Sequence, residues 1–284
     1  CTQVLCCTRS DDSSGKFVRR WYYGGSGGDT VELGGVLFCS TGPPQPTTTS
    51  TTTTTSSTTT TISGSLRVAI ECNTGSRNCN TPSETAYTIR SLLQGRGHTA
   101  TIVDGSDIDT QAELEQYDVV IVGESGYGDN DFTVFQTPLK AWVRDGGGLV
   151  ATAWVPYFIQ GQGLSGQDLD DIIPVKPGTQ YSNMASISIT DSSHPVTEGL
   201  SGFNSPSFNN YGGGKEGGAT ILGIDGLGNP AVVVWTPVKG RAAYLSPNYY
   251  ASHGAYNNEP LLDGSLSDAR DLFIQSVEWA GGIR

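Results

Sequence analysis

The sequence lacks the features that would place the protein in a membrane or on nucleic acid. It has no apolar run of about 18 residues, the length that a transmembrane helix requires, so we expect no transmembrane segment. It has no basic stripe either, because 28 Asp and Glu outnumber 16 Lys and Arg and give a net charge of −12. Proteins that bind nucleic acid neutralise phosphates with clustered Lys and Arg, so we expect no nucleic-acid partner. We expect no cofactor.

Cysteine occurs in even numbers on both sides of a central Thr-rich tract. Four cysteines precede the tract and two follow it, which is typical of disulfides formed in an oxidising compartment. We therefore expect an extracellular or cell-surface location, and the start at a cysteine favours a mature chain whose leader has been removed. Cys72 and Cys79 close a short loop and are expected to pair. Three pairings are open to the other four cysteines, with lipidation as an alternative for the first: Cys1, Cys6, Cys7 and Cys39.

The composition divides the chain into three parts. Residues 1–42 form a small Cys-rich β module, in which two β-prone runs at 16–23 and 30–39 flank a Gly-rich turn and predict a hairpin. Residues 43–61 are a Pro/Thr/Ser-rich linker, and residues 62–284 are the main domain. An isolated hairpin is only marginally stable in water, so we expect disulfides or a neighbouring sheet to support the small module.

The linker contains fifteen consecutive hydroxyl residues, twelve Thr and three Ser. This composition next to proline is typical of an O-glycosylated stalk, and the chain has no N-x-S/T sequon. The alternative is a flexible spacer. We favour a stalk that is held extended by O-linked glycans and by contacts with neighbouring copies. The expected glycosylation sites are Thr47, Thr48, Thr49, Ser50, Thr51, Thr52, Thr53, Thr54, Thr55, Ser56, Ser57, Thr58, Thr59, Thr60 and Thr61.

The main domain shows the alternation of strands and helices that is typical of a parallel sheet covered on both faces. Short apolar runs predict the strands, and apolar residues at helical spacing predict the helices between them. The second half has more strands than the first. Strands are predicted at 66–71, 98–103, 118–122, 149–154, 186–190, 220–224, 231–237 and 241–246, and helices at 82–95, 111–117, 132–144 and 267–280.

Six strings of the main domain occur in an order that resembles a known family. They are LRVAIE, YDVVIVGESG, VRDGGGLVATAW, SHPVTEGLSGF, AVVVWTPVKGRAAYLSP and FIQSVEWAGG. Over about residues 65–282 the chain resembles the class I glutamine-amidotransferase-like proteins, in their trehalose-utilisation branch. The resemblance implies a flavodoxin-like three-layer α/β sandwich, with helices on both faces of a mostly parallel sheet.

The resemblance also implies where a catalytic nucleophile would stand, and the cysteine is missing there. Family enzymes carry a Cys on the sharp turn after the strand that matches residues 149–153, and a His and an acid after a late strand. Here the turn reads Ala-Thr-Ala-Trp, and His253 and Glu259 are present without the family's spacing. Thiolate chemistry requires a thiol, so we expect no amidotransferase activity and a protein that is not an enzyme.

A serine nucleophile is the remaining catalytic alternative. The string GESGY at 123–127 partly matches the G-x-S-x-G turn of serine hydrolases. Ser125 would be the nucleophile, and His253 or His194 would be the base. We favour the other interpretation, in which the Gly-rich string makes a tight turn and His194 has a structural role.

Asp129 and Asp131 flank Asn130 in the string GDNDF and are weak candidates for calcium ligands. Oxygen ligands at alternate positions suit Ca²⁺, but a calcium loop needs several more of them at set spacing. The interpretation that we favour is that Asp129 or Asn130 caps the following helix, so we expect no metal site.

A ligand site is expected where the parallel strands end. Open α/β sheets bind ligands outside the carboxyl ends of their strands, and aromatic faces suit stacking on sugars. The tyrosine-rich loop at 248–259 would meet the turns after two strands there. The candidate ligand-binding residues are Ser125, Trp154, Tyr249, Tyr250 and His253.

From these features we expect a non-catalytic secreted glycoprotein that assembles with copies of itself into an extracellular filament or surface layer. Its N-terminal hairpin would pair with a neighbour's sheet, and head-to-tail contacts of this kind produce open filaments. A carbohydrate-binding surface module on a glycosylated stalk is the alternative. A serine hydrolase that uses Ser125 is the third possibility.

Overall fold

The computed structural model divides the chain into two compact units, Cys1–Thr59 and Thr60–Arg284. It describes residues 20–24, 30–34, 64–73, 79, 85–124, 131–183, 185–250 and 259–284. The Thr/Ser tract at 47–61 and the four N-terminal cysteines lie outside these residues. Their expected glycosylation and pairing therefore stay predictions, as does the three-part division of the chain.

The N-terminal unit contains an antiparallel hairpin. Strand β1 (Arg20–Gly24) pairs with β2 (Thr30–Gly34), and Trp21 lies opposite Leu33. The predicted hairpin is present, and the remaining parts of the two predicted runs, 16–19 and 35–39, lie outside the described residues. Two paired strands are only marginally stable by themselves, so this unit needs support from outside the hairpin.

The C-terminal unit is built on a mixed sheet. Its strands are β3 (Arg67–Glu71), β4 (Thr99–Val103), β5 (Val119–Val122), β6 (Gly148–Thr152), β7 (Tyr181–Asn183), β8 (Ser186–Ile189), β9 (Gly202–Asn204), β10 (Phe208–Asn210), β11 (Thr220–Asp225), β12 (Pro230–Trp235) and β13 (Arg241–Leu245). Within the described residues, the order of the main sheet is β4-β3-β5-β6-β13-β12-β11-β8-β9. The first five of these strands are parallel, the other four are antiparallel, and β7 pairs with β10 in a separate small sheet.

Helices cover both faces of this sheet. They are α1 (Thr85–Gly95), α2 (Gln111–Leu114), α3 (Gln136–Asp145), α4 (Val155–Gly161), α5 (Glu259–Leu262) and α6 (Ser267–Ala280). Side chains of α1, α5 and α6 pack on the face that contains Val68 and Ile70, and those of α2, α3 and α4 pack on the opposite face. The predicted α/β architecture is therefore confirmed, and the order of the parallel strands is that of a flavodoxin-like fold.

The central strands read as continuous apolar runs because helices cover them on both sides. Every residue of β5 and β6 is buried. Gly148, the first residue of β6, allows the end of α6 to approach closely, since a Cβ atom there would lie 2.5 Å from the carbonyl oxygen of Ala280. The packing of α6 against β6 therefore depends on a glycine at this position.

The sequence pattern placed the end of β6 too late. A strand was predicted over 149–154, but β6 ends at Thr152 and α4 begins three residues later, at Val155. Pro156 lies in the first turn of α4, where its missing N–H costs no hydrogen bond. The sequence analysis did not predict α4, β7, β9, β10 or α5.

The predicted disulfide between Cys72 and Cys79 is present. Cys72 follows β3, the two Cα atoms are 5.7 Å apart, and both residues are buried. Among the helices of the described ranges, none has the length and apolar character needed to cross a bilayer.

Candidate functional site

The parallel strands end along one edge of the sheet, which we call the carboxyl edge. The chain passes from β3 to β4 on one side and then to β5 on the other side, so the strand order reverses at β3. Open α/β sheets bind ligands outside the carboxyl ends of the strands at such a reversal. Glu71, Glu124 and Trp154 lie at or just beyond the ends of β3, β5 and β6. These three side chains therefore belong to the candidate site.

The turn after β6 has a strained backbone. Ala153 has a φ of 31°, in the left-handed region that residues with a Cβ atom rarely adopt. Two hydrogen bonds hold it there: its amide donates to the carbonyl of Leu245 at 2.9 Å, and its carbonyl accepts from the hydroxyl of Tyr244 at 2.6 Å. This is the turn at which the resemblance implies a nucleophilic Cys. Alanine offers no nucleophile, and the next side chain at this edge is Trp154.

Trp154 is the centre of a group of four aromatic rings at the carboxyl edge. Its ring centroid lies 5.5 Å from that of Tyr157, 5.3 Å from that of Tyr181 and 5.4 Å from that of Phe208. The rings of Tyr181 and Phe208 are 5.7 Å apart and meet edge to face. Solvent reaches this group, because 52% of Tyr181 and 37% of Tyr157 remain exposed. We call these four residues the aromatic cluster.

A carboxylate lies beside the aromatic cluster. The segment after β13 pairs with β10, and there the amide of Asn248 donates to the carbonyl of Phe208 at 3.0 Å. The side-chain amide of Asn248 also donates to Oε2 of Glu124 at 3.0 Å. The buried Asn248 thereby links the end of β5 to the strand that carries Phe208, and Glu124 places a carboxylate at the same edge as the cluster.

Glu71 ends β3 on the other side of β5, and only 3% of it is exposed. Its Oε2 has no hydrogen-bond partner in the described part of the chain. Burial raises the pKa of Glu71 to about 8, and the charge of Asp104 acts in the same direction. The carboxyl is therefore mostly protonated and uncharged at neutral pH. It can donate as well as accept a hydrogen bond.

The prediction that Tyr249 and Tyr250 stack on a ligand is wrong, because both rings are completely buried. The hydroxyl of Tyr249 donates to the carbonyl of Ala269 at 2.8 Å, and its ring lies 4.9 Å from that of Phe273. The ring of Tyr250 covers Gly123, where a Cβ atom would lie 2.3 Å from the ring. Both side chains support the carboxyl edge from inside the core, and neither presents a face to a ligand.

His194 lies at the opposite edge, where the parallel strands begin, which we call the amino edge. Its ring packs edge to face on Trp279, at 5.3 Å, and the carbonyl of Trp279 accepts from Arg241 at the start of β13. Its Nδ1 accepts from the amide of Val196 at 3.2 Å, and burial lowers its pKa. Since Glu124 lies at the carboxyl edge, His194 is on the wrong side of the sheet to act as a base for a nucleophile that follows β5.

Of the other predicted site residues, Asp131 lies in the described part of the chain and three lie outside it. Ser125, His253 and Asp129 lie outside the described residues, so their roles in a ligand or metal site stay predictions. The expected cap of the following helix by Asp129 or Asn130 is wrong, because α3 begins at Gln136 with Phe135 at its N-cap position. Asp131 is described: its carboxylate accepts from the amide of Thr133 at 3.1 Å and from the Thr133 hydroxyl, in the turn that precedes α3. Within the described ranges, no group of three or more His, Cys, Asp or Glu side chains could hold a metal ion.

Three members of the aromatic cluster were missed by the sequence analysis. Tyr157 lies in the string WVPYF, whose proline signals a helix start directly after Trp154. That signal could have placed Tyr157 one turn along α4. Tyr181 and Phe208 lie in the short polar strings YSN and FNN, which have no apolar periodicity, so only the tertiary structure brings them to Trp154.

No family model and no curated protein matches the sequence. The fold is nevertheless similar to solved structures. The cytoplasmic protein STM3548 from Salmonella typhimurium is 14% identical, with 76% of this chain and 98% of that chain covered and a TM-score of 0.58. The cytoplasmic protein STM1381 from Salmonella typhimurium LT2 is 12% identical, with 74% and 98% covered and a TM-score of 0.56. A ThuA-like protein from Bacteroides uniformis is 14% identical, with 76% and 91% covered and a TM-score of 0.51.

At these identities the likeness shows the fold alone. It supports the class I amidotransferase-like fold that the six sequence strings imply. The expectation of an extracellular or cell-surface location is corrected here. Both Salmonella proteins are described as cytoplasmic, which points away from a location outside the cell. Paired cysteines alone were too weak a basis for that expectation.

Proposed function

We propose that the C-terminal unit is a non-catalytic carbohydrate-binding module. The observation that carries this proposal is the aromatic cluster, which leaves large parts of Tyr157 and Tyr181 exposed at the carboxyl edge. Sugar rings stack on aromatic faces, and ligands of open α/β sheets bind at this edge. Glu124, which a hydrogen bond from the buried Asn248 positions, is half-buried and supplies carboxylate oxygens that can accept from sugar hydroxyls.

The proposal includes the absence of catalysis. The turn that carries the nucleophilic Cys in amidotransferase-like enzymes carries Ala153 here. Cys72 and Cys79 are joined in a disulfide, so neither offers a thiolate. His194, one of the two candidate bases, is engaged in a turn at the amino edge. Binding without cleavage is the interpretation that these placements favour.

The test is a glycan array probed with the full chain, followed by calorimetric titration with a retained glycan. Replacing Trp154 or Tyr181 by Ala is expected to weaken binding at least tenfold, which corresponds to about 1.4 kcal/mol or more. Tyr117→Ala is the matched control, because Tyr117 is a half-buried tyrosine that lies just before the start of β5, at the amino edge. Retention of no glycan, or unchanged binding by both folded cluster variants, would refute the proposal.

We also propose, as a second function, self-assembly through the N-terminal unit. The observation that favours it is the hairpin of β1 and β2, since a two-stranded sheet gains stability by pairing with another sheet. Sedimentation velocity of the full chain should show concentration-dependent large species, and a chain without residues 1–42 should lack them. If both chains sediment as monomers at every concentration, this second proposal fails.

A further inference from the structure

Glu71 has a buried carboxyl oxygen that no described group satisfies. Buried polar atoms of native proteins nearly always have a hydrogen-bond partner, which can be protein, water or ligand. No Lys, Arg or His side chain forms an ion pair with Glu71 in the described ranges. The groups that act on it electrostatically are Asp104 and Tyr250, neither of which supplies a positive charge. Oε2 therefore needs a partner that is not a cationic side chain of the described structure.

The chemistry of an uncharged carboxyl limits what that partner can be. It donates one hydrogen bond and accepts others, and a hydroxyl group complements both abilities. A phosphate or carboxylate would bring negative charge close to Asp104, on a chain whose net charge is already −12. An uncharged hydroxyl-bearing ligand therefore fits this position better than an anionic one.

The position of Glu71 also limits the length of the ligand. In the sheet, β5 separates β3 from β6. Neighbouring strands lie about 4.8 Å apart, so the ends of β3 and β6 are roughly 10 Å apart along the carboxyl edge. Glu71 ends β3, and Trp154 follows the end of β6. A single sugar ring stacked on the aromatic cluster is too short to reach Glu71, but two linked rings can span this distance.

We propose that Glu71 is the second contact point of the carbohydrate site, and that the ligand is a neutral oligosaccharide of two or more sugar units. One unit stacks on the aromatic cluster, and a hydroxyl of another unit hydrogen-bonds Glu71. This inference rests on the proposed function and adds to it the length and the charge of the ligand.

The experiment is calorimetric titration of the full chain with matched mono- and disaccharides of glucose, galactose, mannose and N-acetylglucosamine. The disaccharide that binds best is expected to bind about tenfold more tightly than its monosaccharide, the gain of about one additional hydrogen bond. Glu71→Leu should remove that gain, so that the disaccharide binds about as weakly as its monosaccharide. Glu71→Gln should keep most of it, because an amide also donates and accepts. Near-UV circular dichroism checks that each variant is folded.

The same titration with a 6-phosphate ester of the disaccharide that binds best tests the charge of the ligand without any variant. It is expected to bind at least tenfold more weakly than the unphosphorylated disaccharide. If Trp154→Ala abolishes binding but Glu71→Leu keeps the full disaccharide gain, or if the phosphorylated sugar binds as tightly as the neutral one, the inference about Glu71 is overturned and the binding module stands. If no sugar binds, both fall.

Discussion

A buried glutamate lies at each edge of the parallel sheet, and the surroundings of the two glutamates shift their pKa values in opposite directions. At the amino edge, Glu278 of α6 is 1% exposed, and its Oε1 accepts from Arg96 at 3.0 Å. His98 Nε2 lies 3.6 Å from Oε1, and Arg284 Nη1 lies 3.7 Å from Oε2. Burial alone would raise the pKa of Glu278, but the hydrogen bonds from Arg96 and the electrostatic attraction of Arg96 and His98 hold it below its ordinary value. At the carboxyl edge, no cationic side chain of the described residues pairs with Glu71, and burial raises its pKa to about 8.

The surroundings of the two glutamates differ in the same direction. Charges at the amino edge are paired, as in Arg67 with Asp118 at 2.7 Å and Lys239 with Asp145 at 2.6 Å. Three of these side chains, Asp118, Asp145 and Lys239, also line a cleft of about 520 Å³. The described part of the carboxyl edge instead has exposed aromatic rings and, in Glu71, a carboxyl without a nearby cation. One edge is thus arranged for stability, and the other has groups that a ligand can satisfy.

The largest expected effect is the pH dependence that Glu71 imposes on stability. Below about pH 4.5 the carboxyl is protonated in both the folded and the unfolded chain. As the pH rises, the unfolded chain releases this proton and the folded chain keeps it up to about pH 8, so the free energy of unfolding falls across this window. The loss is roughly 3–5 kcal/mol in total, at about 1.36 kcal/mol for each unit by which the pKa is raised.

Glu71→Gln should remove this loss. Urea unfolding should give the variant and the wild type similar stabilities at pH 4, and the variant should be the more stable by a few kcal/mol at pH 9. Parallel pH profiles for the two proteins would contradict the assignment of an uncharged carboxyl to Glu71.

The same substitution at the amino edge should have the opposite sign. Glu278→Gln removes the negative charge that Arg96, His98 and Arg284 surround. We expect a loss of about 2–3 kcal/mol at pH 7, somewhat less than for a fully buried pair because Arg96 is partly exposed. Urea unfolding measures it, with the exposed Glu115→Gln as the control, for which a change below about 0.5 kcal/mol is expected. A loss as small as that of the control would remove the contrast between the two glutamates.

The smallest expected effects concern two strained residues, one near each edge. Val238, in the turn before β13, has a φ of 69° and is 71% exposed, so its strain is not compensated by burial. Val238→Gly should raise the free energy of unfolding by about 1 kcal/mol and leave ligand binding unchanged. Ala153→Gly should relieve less backbone strain than Val238→Gly does. It should also loosen the turn that positions Trp154, so we expect weaker ligand binding. Thermal unfolding and titration of both variants check this, and equal effects on binding would contradict it.

Much of the fold could be predicted because its central elements obey simple periodicities. Strands β5 and β6 are apolar throughout, and the predicted helix at 267–280 matches α6 because its apolar residues recur at helical spacing. The ends of the helices and strands were predicted less accurately than their existence. The segment 132–135 was predicted as the start of a helix, but it forms turns in which Phe132 and Phe135 are buried and pack edge to face.

The candidate site was harder to predict, because its properties come from contacts between distant parts of the chain. Trp154 was found from its place after a strand. The exposed Tyr181 and the buried Tyr249 look alike in the sequence, and only the fold separates them. The unusual pKa of Glu71 depends on burial at a strand end, which an apolar string ending in Glu does not reveal.

The central claim is that ligands bind at the carboxyl edge and not at the amino edge. The most direct measurement is an NMR titration of the full chain, labelled with ¹⁵N, with the oligosaccharide retained on the array. It follows the indole N–H signals of Trp154 at the carboxyl edge and of Trp142 and Trp279 at the amino edge. We predict that the Trp154 signal shifts with the ligand concentration and that the other two do not. Shifts confined to Trp142 or Trp279, or no shift at any of the three, would contradict the account.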